Sequence, residues 1–377
     1  MKTKILFLIE SFALGGAERV LVDIANNFDR DLFDVSVISI FKRSVYSNYR
    51  VEVSKHFKPH ITYRFLVNND FKILFYLFNF LLNRVPSLIY ALFIGDKYDI
   101  VIAFYEGAPT HFISNAKLKR GRKVAWLHTS TSLSQKGKSK ASLEDAVNDY
   151  KNFEKIVAVS HGVADSFVLL FPDLVDKVCV AYNPIDIDVI KAMAFEPVSI
   201  SKPDCPLFVS VGRLVNVKGY DRYLRVINKL NSEGYSFKTL IVGGGDSSQF
   251  KSYCIENQLN SVCFLGHKDN PYPYMSMADW IIVPSYVEGL GLVVLEGLVL
   301  NKAILMTNCS STSELLGASE FGLVADNSED GLYDAMKMIL NNPSLKVQYE
   351  KKAESRSHFL GLRDSMDRII SIINDVL

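Results

Sequence analysis

Short apolar runs recur along this chain, each closed by a polar residue or a glycine. In the first half they are ILFLI (5–9), VSVISI (35–40), DIVIAF (99–104), KVAWL (123–127) and KIVAVS (155–160). The second half repeats the scheme with LFVSVG (207–212), TLIVGGG (239–245), SVCFLG (261–266), WIIV (280–283) and KAILMT (302–307). Runs this short, bounded by turn residues, predict buried strands. Between them the pattern predicts helices from Ala17 to about Asn27 and from Tyr220 to Leu230. Near the end Met366, Ile369, Ile370, Ile373 and Leu377 recur at helical spacing and predict an amphipathic helix. Strands alternating with helices imply an α/β fold with parallel sheets.

The chain has 377 residues, 49% of them hydrophobic. That is too long for one ordinary core and ample for two. The proline-rich stretch AYNPIDID (181–188), Pro197 and SKPDCP (201–206) is the best boundary. It gives an N-terminal domain of residues 1–184 and a C-terminal domain of residues 185–357. Two doubly wound, Rossmann-like domains place a ligand cleft between them, at the carboxyl ends of their strands.

One helix carries an anomaly. From Leu292 to Leu300 every residue is apolar or glycine except Glu296, and Glu288 stands on the glycine-containing loop just before it. A buried carboxylate needs a partner. A cation elsewhere in the fold or a hydroxyl-bearing ligand would each serve, and both readings stay open. Other predicted strand ends add polar groups. Arg213 and Lys218 follow LFVSVG, and two cations on one short loop suit a diphosphate, though solvated surface charge is the plainer reading. Gly244 lies in the GGGD turn, and His267 follows SVCFLG. In the first half, Gly15 and Gly16 separate the first strand from the first helix without GxGxxG spacing, so a dinucleotide fingerprint is missing. His128 closes KVAWL, as a structural or a cleft-facing histidine. Glu106 follows DIVIAFY as a candidate for holding an acceptor hydroxyl. Ser160 is expected to cap a helix.

Charge and cysteines narrow the classes. Lys+Arg 42 against Asp+Glu 41 leaves a net +1, which gives no bulk attraction to nucleic acid. Five scattered cysteines without CxxC spacing argue for a reducing compartment and against a zinc site. The N-terminal apolar run is short and is followed by Glu10, which favours a first strand over a signal peptide. The segment 71–94 is aromatic-rich, but Asn83, Arg84 and Pro86 split it into pieces too short to span a bilayer. It reads as a core helix pair or as a surface lying in the membrane interface. Residues 117–140 hold eight basic residues and no acidic one, so an anionic lipid surface is an expected partner.

Taken in order, GGAERV, GRLVNVKG, IVGGGD, VCFLGH and EGLGLVVLE resemble the retaining family-four glycosyltransferases of the GT-B fold. Glu288 and Glu296 match that family's E-x7-E motif. The resemblance implies that Arg213 and Lys218 bind the donor diphosphate, Glu296 the ribose and Glu288 the donor sugar. It places the amides of Gly289, Leu290, Gly291 and Leu292 against sugar and phosphate, Gly16 by the diphosphate and His128 by the transferred sugar. It also implies that a last helix, about 358–377, returns to the N-terminal domain. Where the family often has two glycines before a Glu, this chain has Ser310 and Ser311 before Glu314. The expected activity is metal-independent, retaining transfer of a hexose or N-acetylhexosamine from a nucleotide-diphosphate sugar, with no cofactor. The expected acceptor is a polyprenyl-diphosphate-linked or growing surface glycan, met at the inner face of the cell membrane. Three rivals remain: a metal-dependent transferase using Asp186 and Asp188, a sugar-nucleotide epimerase, and a non-catalytic partner in glycan assembly.

Overall fold

The structure, a computed structural model, describes residues 1–12, 15–42, 53–68, 72–130, 148–357 and 361–377. Phe71, the later part of the basic run (131–140) and residues 358–360 lie outside the described residues. The chain divides into two compact units: Met1–Pro184 with Arg363–Leu377, and Ile185–Leu362.

The first unit holds a seven-stranded parallel sheet of β1 (Thr3–Ile9), β2 (Phe33–Phe41), β3 (Thr62–Val67), β4 (Ile100–Ala103), β5 (Arg122–Leu127), β6 (Lys155–Ala158) and β7 (Val178–Val180). Their order is β3-β2-β1-β4-β5-β6-β7. Ile5 to Leu8 and Ile100 to Ala103 are fully buried because helices cover both faces, which is why these strands read as unbroken apolar runs. The C-terminal helix Leu362–Val376 turns Met366, Ile369, Ile372, Ile373 and Val376 inward, and Arg368 Nε donates to Val180 O at 3.1 Å.

The second unit has β8 (Leu207–Val211), β9 (Lys238–Val242), β10 (Val262–Gly266), β11 (Trp280–Val283), β12 (Ala303–Thr307) and β13 (Leu323–Ala325), in the order β10-β9-β8-β11-β12-β13 and all parallel. Its core packs Phe208, Tyr223, Ile227, Trp280, Ile282, Leu305 and Met336 together.

In each sheet the winding reverses once. The reversal lies between β1 and β4 in the first unit and between β8 and β11 in the second. At such switch points the loops leaving two neighbouring strands diverge to opposite faces, and their carboxyl ends frame a crevice. The loops after β1 and β4 carry Gly15, Gly16 and Glu106. Those after β8 and β11 carry Arg213, Lys218 and Glu288.

Among the described residues of the segment 71–94 are two helices, Lys72–Arg84 and Pro86–Phe93. Phe78, Leu82, Ile89 and Tyr90 are buried, while Tyr76, Leu77, Phe80, Leu88 and Leu92 are exposed. One face of the helix pair therefore joins the core and the other is exposed. Among the described residues no helix is long and apolar enough to cross a membrane.

Candidate active site

In the second unit a 3-10 turn, Asn216–Lys218, follows β8. It ends at Gly219, whose φ is +68°. A Cβ there would lie 2.0 Å from Pro284 O, so only glycine lets this turn sit against the loop after β11. Lys218 is thereby brought to Glu288. Its ammonium lies 2.6 Å from Glu288 Oε1. The same oxygen accepts from Ser285 Oγ at 2.6 Å, and Ser310 Oγ donates to the Glu288 main-chain carbonyl at 2.7 Å. Arg213 is exposed and makes no ion pair among the described residues. Ser310 stands where the family often has glycine, and here it ties the loop after β12 to the loop carrying Glu288.

The loop continues through Gly289 and the buried Leu290 to Gly291, at φ +77°, which starts the helix Leu292–Val299. Glu296 is buried in that helix, and its Oε1 accepts a hydrogen bond from the buried Tyr272 hydroxyl at 3.0 Å. The sequence pointed to a cation or a ligand hydroxyl; the structure supplies a phenol. Tyr272 starts its own helix twenty-four positions away, and nothing in the local pattern marked it. Gly244 O accepts from Leu214 N at 2.8 Å, joining the GGGD turn to the Arg213 loop. His267 Nε2 lies 3.0 Å from Asp269 Oδ1. Cys309 follows β12, and burial pushes its thiol up to about 11, so it is no thiolate nucleophile at neutral pH.

In the first unit Gly15 precedes the helix Gly16–Asn27. Glu106 and His128 are tied together. Glu106 Oε1 accepts from His128 N at 2.8 Å, Thr129 N at 2.8 Å and Thr129 Oγ1 at 3.1 Å. That oxygen organises the end of β5, a role that an acceptor-binding reading did not foresee. Glu106 Oε2 is buried without a partner among the described residues. Burial raises the Glu106 carboxyl, and these hydrogen bonds oppose the rise. The His128 ring packs on Phe104 and stacks on Tyr105. Burial pushes it down to about 3, against a hydrogen bond to the Phe104 carbonyl, so it is neutral near pH 7. Its Nε2 is buried and has no partner among the described residues. Ser160 caps its helix, accepting from Val163 N at 3.1 Å. Asp186 Oδ1 accepts from Val189 N at 3.0 Å and caps the helix Ile187–Met193. Among the described residues no group of three His, Cys, Asp or Glu side chains is placed to hold a metal ion.

Two family descriptions match the stretches that contain these loops: Glycosyltransferase Family 4 over residues 14–189, and Glycosyl transferases group 1 over residues 194–356. The chain belongs to the family-four glycosyltransferases. Similar relatives include the N-acetylgalactosamine-N,N'-diacetylbacillosaminyl-diphospho-undecaprenol 4-alpha-N-acetylgalactosaminyltransferase of Campylobacter jejuni. That protein is 28% identical over 213 residues, which are 55% of this chain and 56% of the relative. The lipopolysaccharide core biosynthesis glycosyltransferase LpsD of Rhizobium meliloti is 26% identical over 191 residues, 48% of this chain and 55% of LpsD. The chain thus spans little more than half the length of these relatives. Anabaena HepE, crystallised with UDP-glucose, superposes with a TM-score of 0.79 at 19% identity, covering 99% of both chains. At that identity the likeness establishes the fold, which is GT-B.

Proposed function

We propose that this protein transfers a hexose or N-acetylhexosamine from a nucleotide-diphosphate sugar to a lipid-linked or growing surface glycan, with retention at the anomeric carbon and without a metal ion. The observation that carries this reading is the cluster at the β8–β11 switch point. There Lys218 and Glu288 are paired, and the nearby Arg213 makes no ion pair among the described residues. In this reading Arg213 and Lys218 take the diphosphate, whose charge grows as the glycosidic bond breaks. Glu288 and the amides of Gly289 to Leu292 take the sugar and the adjoining phosphate. Glu296, with Tyr272 on one oxygen, takes the ribose. Gly244 and His267 adjoin the donor. In the first unit Gly15 and Gly16 serve the diphosphate, and the unprotonated Nε2 of His128 accepts from a sugar hydroxyl. Glu106 holds the strand end that bears His128. We take the transfer to run on the front face, without a covalent sugar–enzyme intermediate.

The lipid-linked acceptor named for the Campylobacter relative and the LpsD likeness support a membrane-borne acceptor. So does the helix pair at 72–93, which exposes Tyr76 (68%), Phe80 (58%) and Leu92 (69%). It carries Arg84 and no acidic residue. We place the protein on the inner face of the cell membrane by this surface.

The test is a melting screen against UDP- and GDP-sugars, followed by transfer to polyprenyl-diphosphate glycans in excess EDTA and assignment of the product anomer by NMR. Stabilisation by one sugar nucleotide and an anomer matching the donor's are expected. No stabilisation by any, an inverted anomer, or full loss on chelation restored by manganese would each remove its part of the reading.

A further inference from the structure

Arg222 lies in the helix Tyr220–Ser232 that begins just after Lys218, and it is only 1% exposed. A buried guanidinium ordinarily meets a carboxylate, because desolvating the charge is expensive. This one meets the main chain. Its Nε and Nη2 donate to Pro284 O at 3.0 and 2.7 Å, and Nη2 also donates to Ser285 O at 2.8 Å and Thr307 Oγ1 at 3.3 Å. The Tyr286 ring covers it, 4.0 Å from the guanidinium carbon. Three consecutive residues of the loop after β11 are therefore held by one side chain. The turn before the helix grips the same loop. Gly219 fits against Pro284 O, and Tyr286 N donates to Val217 O at 2.8 Å. Ser285, its carbonyl bound by Arg222, turns its hydroxyl onto Glu288 Oε1.

We propose that Arg222 is a positioning residue for the donor site, fixing the Pro284–Tyr286 loop so that Glu288 stays paired with Lys218. The proposal rests on the reading of Lys218 and Glu288 as donor-binding groups. The planar fork suits this position, since Nε and Nη2 bind Pro284 O together while Nη2 also reaches Ser285 O, a fixed two-nitrogen geometry that the single nitrogen of a lysine on its flexible stem does not reproduce. An arginine serving only the packing of the unit would not need to bind the loop that bears the site carboxylate.

The experiment needs no donor. The rate at which an amine-reactive acetyl ester labels Lys218 is followed by mass spectrometry in wild type, Glu288→Gln, Arg222→Lys and Arg222→Met. Lys302, a largely buried amine donating to Ala278 O at 3.3 Å, is the internal control for general loosening of the second unit. Glu288→Gln is expected to raise Lys218 labelling several-fold. Both Arg222 variants are expected to raise it as well, with Lys302 unchanged and the arginine's effect not restored by lysine. Arg222→Lys carries the test if Arg222→Met does not fold. Wild-type labelling of Lys218 in the Arg222 variants overturns the proposal. So does a parallel rise of Lys218 and Lys302, or a Glu288→Gln protein in which Lys218 labelling does not change. A failure to bind any sugar nucleotide would strike the proposed activity and leave the labelling result standing.

Discussion

Lys218 Nζ and Glu288 Oε1 meet at 2.6 Å across seventy residues of sequence, from loops that leave two adjacent strands. The ammonium proposed for the diphosphate is therefore already engaged by a carboxylate. A diphosphate must compete with Glu288 for it. Glu288→Gln removes the competitor while keeping the shape of the side chain. Turnover is expected to fall by roughly 10²–10³, as for the loss of one oriented charge contact in a catalytic site. Affinity for a nucleoside diphosphate alone is expected to rise by about fivefold, the scale of one partly exposed ion pair. Calorimetric titration with UDP or GDP beside initial rates checks both, and weaker diphosphate binding in the variant would refute the competition.

The two cations differ in what they leave behind. Arg213 has no ion-pair partner among the described residues, so Arg213→Ala is expected to melt like wild type. Lys218→Ala strands Glu288, whose side chain is 10% exposed, and is expected to lower the melting temperature modestly. Each is expected to lose turnover by about 10²–10³. Near-normal rates in both proteins would move the diphosphate site elsewhere.

Which parts were legible follows from burial. Strands covered on both faces, such as β1 and β11, announce themselves as apolar runs. β3, β7 and β13 did not: Tyr63-Arg64 interrupts β3, and β7 and β13 are only three residues long. Arg213, Lys218, Glu288 and Glu296 could be singled out as candidates because their order resembles the family's motifs. Tyr272, Ser285 and Ser310 were not, since what matters is the oxygen each one touches. Arg222 did leave a signal, a cation sharing a helix face with Val226 and Leu230, both buried. The sense of Glu106 was hidden because its partners are backbone amides on another strand's end.

His128 should govern part of the acid response. Burial holds its folded-state value at about 3, against about 6.5 in an unfolded chain. The unfolded chain therefore binds the extra proton first, and stability falls as pH drops through that window, with no effect above it. Glu106, raised by burial, acts in the opposite sense. His128→Gln removes only the histidine's share, so its melting temperature is expected to fall less than that of wild type between pH 7 and pH 4. Parallel curves would show that the imidazole is not held neutral.

The exposed face at Tyr76, Leu77, Phe80, Leu88 and Leu92 is expected to seat on anionic lipid. Phosphatidylglycerol vesicles should sediment the protein at low salt and less at high salt, because exposed charges are screened over about 10 Å at 0.1 M. Changing Phe80 and Leu92 to Ser should abolish sedimentation without altering nucleotide binding. Equal binding to neutral vesicles would remove the electrostatic part, and no binding to either would remove the lipid surface.

Glu296 and Tyr272 separate ligand binding from folding. The phenol occupies one carboxylate oxygen at 3.0 Å, and an amide in the same place can still accept that bond through its own oxygen. Glu296→Gln is therefore expected to melt at or above the wild-type temperature, since a buried charge has been removed. Tyr272→Phe loses the donor and is expected to cost about 1 kcal/mol. If Glu296 holds a ribose, the glutamine protein should show a clearly smaller rise in melting temperature with nucleoside diphosphate, because one amide oxygen replaces a charged acceptor of two hydroxyls. Tyr272→Phe should keep most of that rise. If Glu296 were instead half of a buried ion pair, the same change would strand the cation and cost about 3–5 kcal/mol. A large melting loss in ligand-free Glu296→Gln, with the nucleotide-induced rise intact, would end the ribose assignment.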